Sequence, residues 1–148
     1  MTHLKHQRRD ERGAALLEFA LVFGIFVFVL YALIAYGMMM STKNSITHAA
    51  AEGARAAIGV TAGDTNPANV IDDRLDAAKA QALASLHWMN SAQKAATTIT
   101  PGWGSCPTTC VKVDIVYNYS QQPLVPPAPG LGLVTPSTLS SEAIVALS

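Results

Sequence analysis

Charge is scarce in this 148-residue sequence, and what there is lies unevenly: ten Lys and Arg balance ten Asp and Glu, for a formal net charge of zero. Residues 1–13 hold Lys5, Arg8, Arg9 and Arg12 against Asp10 and Glu11, a surplus of +2 that leaves −2 for the remainder. Beyond the first residues no basic excess exists to neutralise phosphates, so nucleic-acid binding is excluded. Histidine is sparse too, and His3, His6, His48 and His87 are scattered, with none placed beside a serine or cysteine as a base for a nucleophile. No phosphate loop or pair of acids beside a glycine-rich turn is present, so the sequence gives no reason to expect an enzyme or a cofactor. The only cysteines are Cys106 and Cys110. Zinc needs four ligands and no histidine lies near this pair, which argues against a metal site. Asp72, Asp73 and Asp76 cluster, but acids early in a helix are expected from its dipole, and a hard cation needs more oxygen ligands than these supply.

What the chain has in quantity is one long apolar run. Gly13 is followed by AALLEFALVFGIFVFVLYALIAYGMMM, residues 14–40, in which Glu18 is the only ionisable acid or base apart from two tyrosines. As a helix rising about 1.5 Å per residue this run reaches roughly 40 Å, more than the ~30 Å hydrocarbon core of a bilayer. A helix apolar all round needs a large protein to bury it, and the residues after Met40 are too few and too polar. A cleaved secretory signal has an apolar region of about 7–15 residues ending in a small-x-small site, whereas this run passes on through Tyr36-Gly37-Met38-Met39-Met40. The run reads as a retained transmembrane helix. Four basic residues stand before it and only Lys43 and Arg55 follow soon after, which places the N-terminus in the cytoplasm.

Glu18 stands out because a carboxylate in lipid costs roughly 2.5–3.5 kcal/mol on insertion scales, which makes it a functional candidate unless it merely snorkels to the headgroups. A cut after Gly13 makes Ala14 the new terminus, Glu18 the fifth residue and Phe19 the sixth. The segment Arg8-Arg9-Asp10-Glu11-Arg12-Gly13 followed by Ala14-Ala15-Leu16-Leu17-Glu18-Phe19 resembles the processing site of type IV-like prepilins. It resembles more closely the TadE-like family of the tight-adherence (Flp) pilus. The resemblance implies a minor pilin or pseudopilin, since major pilins of this system usually carry Glu-Tyr where this chain has Glu18-Phe19. It also implies cleavage after Gly13 by a membrane-embedded prepilin peptidase, and pairing of Glu18 with the free amine of a neighbouring subunit. The implied partners are that peptidase, other pilin or pseudopilin subunits, the pilus assembly platform and the lipid bilayer. The implied location is the bacterial inner membrane, single pass, with the C-terminal part extracytoplasmic.

Past the membrane run, residues 41–58 contain no proline, and Ile46, Ala49, Ala50, Gly53 and Ala57 recur at helical spacing on a small-residue face that permits close approach of another helix. The string THAAAEGARAAI (47–58) is similar to the segment that TadE-like proteins carry after the membrane. Residues 59–66 read as a linker, with Asn66 as an N-cap and Pro67 at the first helical position. Ile71, Leu75, Ala78, Ala82, Leu86 and Met89 then form one apolar stripe, predicting an amphipathic helix over about 67–91. After it the pattern alternates. Ala96 to Thr100 reads as a strand closed by Pro101-Gly102, Val111 to Ile115 alternates strictly, and Val116 to Tyr119 extends it. A proline-rich loop with Pro123, Pro126, Pro127, Pro129 and Pro136 follows, along with Gly130 and Gly132, and then Leu139 to Leu147, read as a closing strand. TadE-like proteins resemble this arrangement, with a Tyr-rich strand, a proline-rich loop and a final Leu-Ser-x-Glu-Ala strand.

The expected fold is α+β: a long N-terminal transmembrane helix, a second amphipathic helix and a small antiparallel sheet of about three strands. The expected layout is a leader at 1–13, a span at 14–40, a helical extension at 41–58, a linker at 59–66 and an extracytoplasmic α+β domain at 67–148. Outside the membrane, Cys106 and Cys110 would be oxidised and staple a small loop; the alternative is a turn whose cysteines are merely buried. The rival to the pilin reading is an uncleaved, membrane-anchored binding or adhesive module carrying the same domain.

Overall fold

The computed structural model describes residues 4–60, 67–107, 109–126 and 135–147. In chain order it has α1 (Leu4–Gly59), α2 (Pro67–Ser85), α3 (Ser91–Ala95), β1 (Thr97–Trp103), β2 (Cys110–Tyr117) and β3 (Leu139–Ala146). The strands form one antiparallel sheet in the order β1-β2-β3. The α+β class, the long apolar first helix and the three-stranded sheet are therefore as the sequence predicts. The expected cap at Asn66 lies outside the described residues, as do Pro127, Pro129, Gly130 and Gly132 of the proline-rich loop.

The chain divides into two compact units, residues 1–37 and 38–148. The first is helix. In the second, the sheet turns one face inward because apolar residues alternate along β2: Val111, Val113, Ile115 and Tyr117 are completely buried. Ile115 stands opposite Ile99 on β1, and Tyr117 opposite Leu139 on β3. Against this face pack Leu86 and Met89 after α2, together with Ile46 and the alanines of both long helices. Residues 41–58, the expected helical extension, supply part of this unit's core through Ile46, Ala49, Ala50, Ala54 and Ala57.

The small-residue face of α1 is used within the chain. A Cβ built on Gly53 would stand 2.7 Å from the carbonyl oxygen of Ala78 and 3.0 Å from the Ala82 methyl on α2. Only a residue without a side chain lets the two backbones come this close. Burying so many alanines yields little area per residue, so the stability of the contact depends on this proximity.

Three boundaries differ from those the sequence predicts. The amphipathic helix ends at Ser85, not near residue 91, because Leu86 and Met89 bond back by three residues, to Leu83 and Leu86 carbonyls at 3.2 and 3.1 Å. Asn90 then caps α3 reciprocally: Gln93 N–H donates to Asn90 Oδ1 at 2.8 Å, and Asn90 N–H donates to Gln93 Oε1 at 3.0 Å. Pro101-Gly102 does not close β1, which continues to Trp103. β1 is an edge strand, where alternate N–H groups point away from the single neighbour and proline removes no ladder bond. β2 stops at Tyr117; Tyr119 lies in the turn beyond it, edge-on to Tyr117 with ring centroids 6.3 Å apart.

Two predictions follow from this packing. Gly53→Ala should destabilise the second unit by about 1 kcal/mol, the overpacking cost of roughly 1–3 kcal/mol exceeding a helix-propensity gain of about 1 kcal/mol. Gly59→Ala, with nothing within 4 Å of its added carbon, should not, and urea unfolding in detergent would compare them. Tyr117 donates its hydroxyl to the Gln122 carbonyl, and burial, with Tyr119 as a lesser contributor, holds its pKa above the usual tyrosine value. A raised folded pKa gives a contribution that is complete below the unfolded value of about 10 and is lost as pH climbs through the folded one. Stability should therefore decline from about pH 10 upward, and Tyr117→Phe should lower it by about 1 kcal/mol at neutral pH while making that decline shallower.

Candidate functional site

Gly13, Ala14, Glu18 and Phe19 all lie on α1, and all four are exposed. A helical turn of 3.6 residues puts Glu18 on the same stripe as Ala14 and Val22. A Cβ at Gly13 would meet nothing within 4 Å, so no packing among the described residues explains the glycine. Glu18 has no ion-pair partner among the described residues. Phe19 stacks on Phe23 one turn on, with centroids 5.7 Å apart. Around them the large apolar side chains face outward, Leu17 being 76% exposed and Phe26 60%. The helix is long and apolar enough to cross a membrane, with mean hydropathy 2.6 over its best window and 6% of that window buried within the chain. A single-pass membrane protein fits these facts.

The second unit carries polar features the sequence reading did not single out. Lys112 on the outer face of the sheet bridges Asp114 at 3.0 Å and Glu142 at 3.3 Å. Hydrogen bonds to Asp114 and then Glu142 hold its ammonium above the ordinary lysine range. The strand register gives this cluster away, since Asp114 pairs with Glu142 and Lys112 sits two positions along the same face. Near the start of β3, Lys43 donates to the Ser140 carbonyl and Ser141 Oγ lies 3.0 Å from Thr47 Oγ1. These bonds tie α1 to the sheet edge.

Cys106 and Cys110 are brought together with Cα atoms 6.4 Å apart and their sulfurs in contact. Cys110 is buried at the start of β2, and Cys106 is half-buried. Among the described residues no cluster of three His, Cys, Asp or Glu could hold a metal. An open groove of about 440 Å³ is lined by Val70, Ile71, Arg74, Trp103, Thr109 and Leu147. It contains none of the processing, assembly or cysteine residues singled out from the sequence.

Residues 13–55 match the sequence model of the TadE-like protein family, the same family that residues 8–19 resemble. The match takes in Glu18, the apolar run and the THAAAEGAR stretch, and it ends before α2 and the sheet. No curated protein and no solved structure matches the chain.

Proposed function

We propose that this chain is a TadE-like minor pilin or pseudopilin of a bacterial tight-adherence (Flp) pilus, held in the inner membrane by residues 14–40 with residues 1–13 in the cytoplasm. The observation that carries the reading is the placement of Gly13 and Glu18 at the head of an exposed apolar helix, inside the family match over 13–55. In this reading a prepilin peptidase cuts between Gly13 and Ala14. That bond lies within α1, and a protease must unwind it locally. Glycine lowers the helix's hold there by about 1 kcal/mol relative to alanine and lets the enzyme's backbone come near.

Cleavage would create an α-amine on Ala14 with a reference pKa of about 8, cationic at neutral pH. Glu18 of an adjacent subunit is then the natural counter-charge in lipid. Pairing the two offsets the desolvation of both and fixes the axial register between subunits, a role better attested for buried polar groups than raw stability. Phe19 beside it supplies packing against the neighbouring helix. Residues 41–148 form the extracytoplasmic part, and the assembly platform and other pilin subunits are the partners. In that oxidising compartment Cys106 and Cys110 form a disulfide that closes the turn before β2.

The experiment is one strain series with two readouts, the mass of the mature N-terminus and assembly into pili. Gly13→Leu should leave residues 1–13 attached. Glu18→Gln, which keeps the shape and removes the charge, should be inserted and cleaved normally while pilus assembly falls at least about tenfold, the equivalent of 1.4 kcal/mol. Residues 1–13 retained on the parent protein would favour the uncleaved anchored module instead, and normal assembly by Glu18→Gln would remove the proposed pairing. Separately, the cysteines of the exported protein should resist alkylation until it is both unfolded and reduced; two thiols free in the native protein would count against the disulfide.

A further inference from the structure

The core of the second unit begins before the apolar run has ended. Residues 38–40, the last of that run, already belong to this unit. Met39 packs against the core, and Thr42 is buried with its hydroxyl donating to the Met38 carbonyl at 3.0 Å. Lys43, which donates to the Ser140 carbonyl, follows Met40 by three residues, about 5 Å of helix. The sheet register shows what else shares that end of the unit. Thr97, Tyr117 and Leu139 stand side by side across the strands, one residue from Ser140. Thr97 Oγ1 lies 3.6 Å from Met89 Sδ and donates to the Gln93 carbonyl at 2.8 Å, which brings the turn at 86–89 and α3 to the same end. Trp88 in that turn is 41% exposed, and Lys94 on α3 is exposed. Trp103 stands six residues along β1 from Thr97, about 20 Å away.

Charge is distributed to match. The segments that reach this end, residues 38–51, 86–98 and 118–141, contain no Asp or Glu, and Lys43 and Lys94 are their only lysines or arginines. The acids lie elsewhere: Asp72, Asp73 and Asp76 early in α2, and Asp114 and Glu142 in the strands, where they share Lys112. We infer that this end of the second unit rests on the headgroup surface of the bilayer that α1 enters, with the Trp88 indole among the headgroups and Lys94 beside anionic phospholipids. An indole, apolar with a single N–H donor, is favoured at the boundary between membrane and water, and a lysine there is attracted to anionic lipid. With core packing that starts at Met39, no flexible spacer holds the unit away from the surface, and the span supplies a high effective concentration of lipid. The inference rests on residues 14–40 crossing a bilayer. It does not depend on cleavage at Gly13, on the role of Glu18 or on a pilus.

The test uses the full chain reconstituted into vesicles of phosphatidylcholine, with or without phosphatidylglycerol. Two single-tryptophan variants are compared: Trp103→Phe, which keeps Trp88, and Trp88→Phe, which keeps Trp103. Phospholipids brominated near the headgroup end of their acyl chains quench tryptophan on contact, so Trp88 should be quenched and Trp103 should not. In vesicles containing phosphatidylglycerol, Lys94→Gln should lower the ratio of docked to free unit about fivefold, the equivalent of about 1 kcal/mol for one cation at an anionic surface. That ratio is read from the amplitudes of the quenched and unquenched lifetimes. In phosphatidylcholine alone the substitution should not change it. Unquenched Trp88 in protein that floats with the vesicles, equal quenching of both tryptophans, or a ratio unmoved by Lys94→Gln in the anionic vesicles would overturn the inference. So would Trp88 shielded from both brominated lipid and aqueous acrylamide, since a second copy would then cover it. Protein that fails to float with the vesicles would overturn the span, and the docking with it.

Discussion

Apolar surface that the chain itself cannot cover is the constraint on which the rest depends. From Leu16 to Met40 nearly every large side chain points outward, and each would cost about 1.5–3 kcal/mol to leave in water. No rearrangement within the remaining residues can remove that debt, because their own core is already filled by Leu86, Val111, Val113, Ile115 and Tyr117. Lipid, or lipid together with neighbouring helices, is the environment that resolves it. Backbone hydrogen bonding agrees, since an unbroken helix satisfies its polar groups internally and is one of the two structures that can span a bilayer.

The same α1 carries two different solutions to burial. Residues 14–37 present bulky Leu, Val, Ile and Phe, which suit lipid tails and loose contact. From Ile46 onward the face narrows to Ala49, Ala50, Gly53, Ala54 and Ala57, which suit a second backbone at close range. That switch in side-chain volume marks where the helix stops being membrane-type and becomes one wall of a folded unit. The unit's boundary at residue 38 falls near it. The family match ends at residue 55, so it takes in both the lipid-type helix and much of the small-residue face, but none of the sheet.

Much of this was legible in the sequence where one pattern admits one physical answer. The apolar run, the alternation in β2 and the closing strand at 139–146 are of that kind. The end of α2 was not, because buried side chains at Leu86 and Met89 satisfy helical spacing equally well when the backbone turns through three-residue bonds. The reciprocal cap of Asn90 and Gln93 was the available signal, a side-chain pair three apart just before a new helix. Pro101-Gly102 looked like a terminator because the penalty for proline in a strand depends on whether that strand has one neighbour or two. The groove was invisible for a different reason: its walls, Ile71, Trp103 and Leu147 among them, come from distant parts of the chain.

Within the apolar run one carboxyl group stands out. Lys112 has Asp114 and Glu142, Arg55 has Glu52, and Lys43 has the Ser140 carbonyl. Glu18 has no such partner among the described residues, and it stands among outward-facing apolar side chains. In a protein that functions alone, such groups are a standing cost of several kcal/mol that substitution would readily remove. In the pilin reading proposed above such a group is the opposite, because a carboxyl group without a partner in one chain becomes a contact that a neighbouring subunit completes. The energy withheld from folding is then available to discriminate between partners.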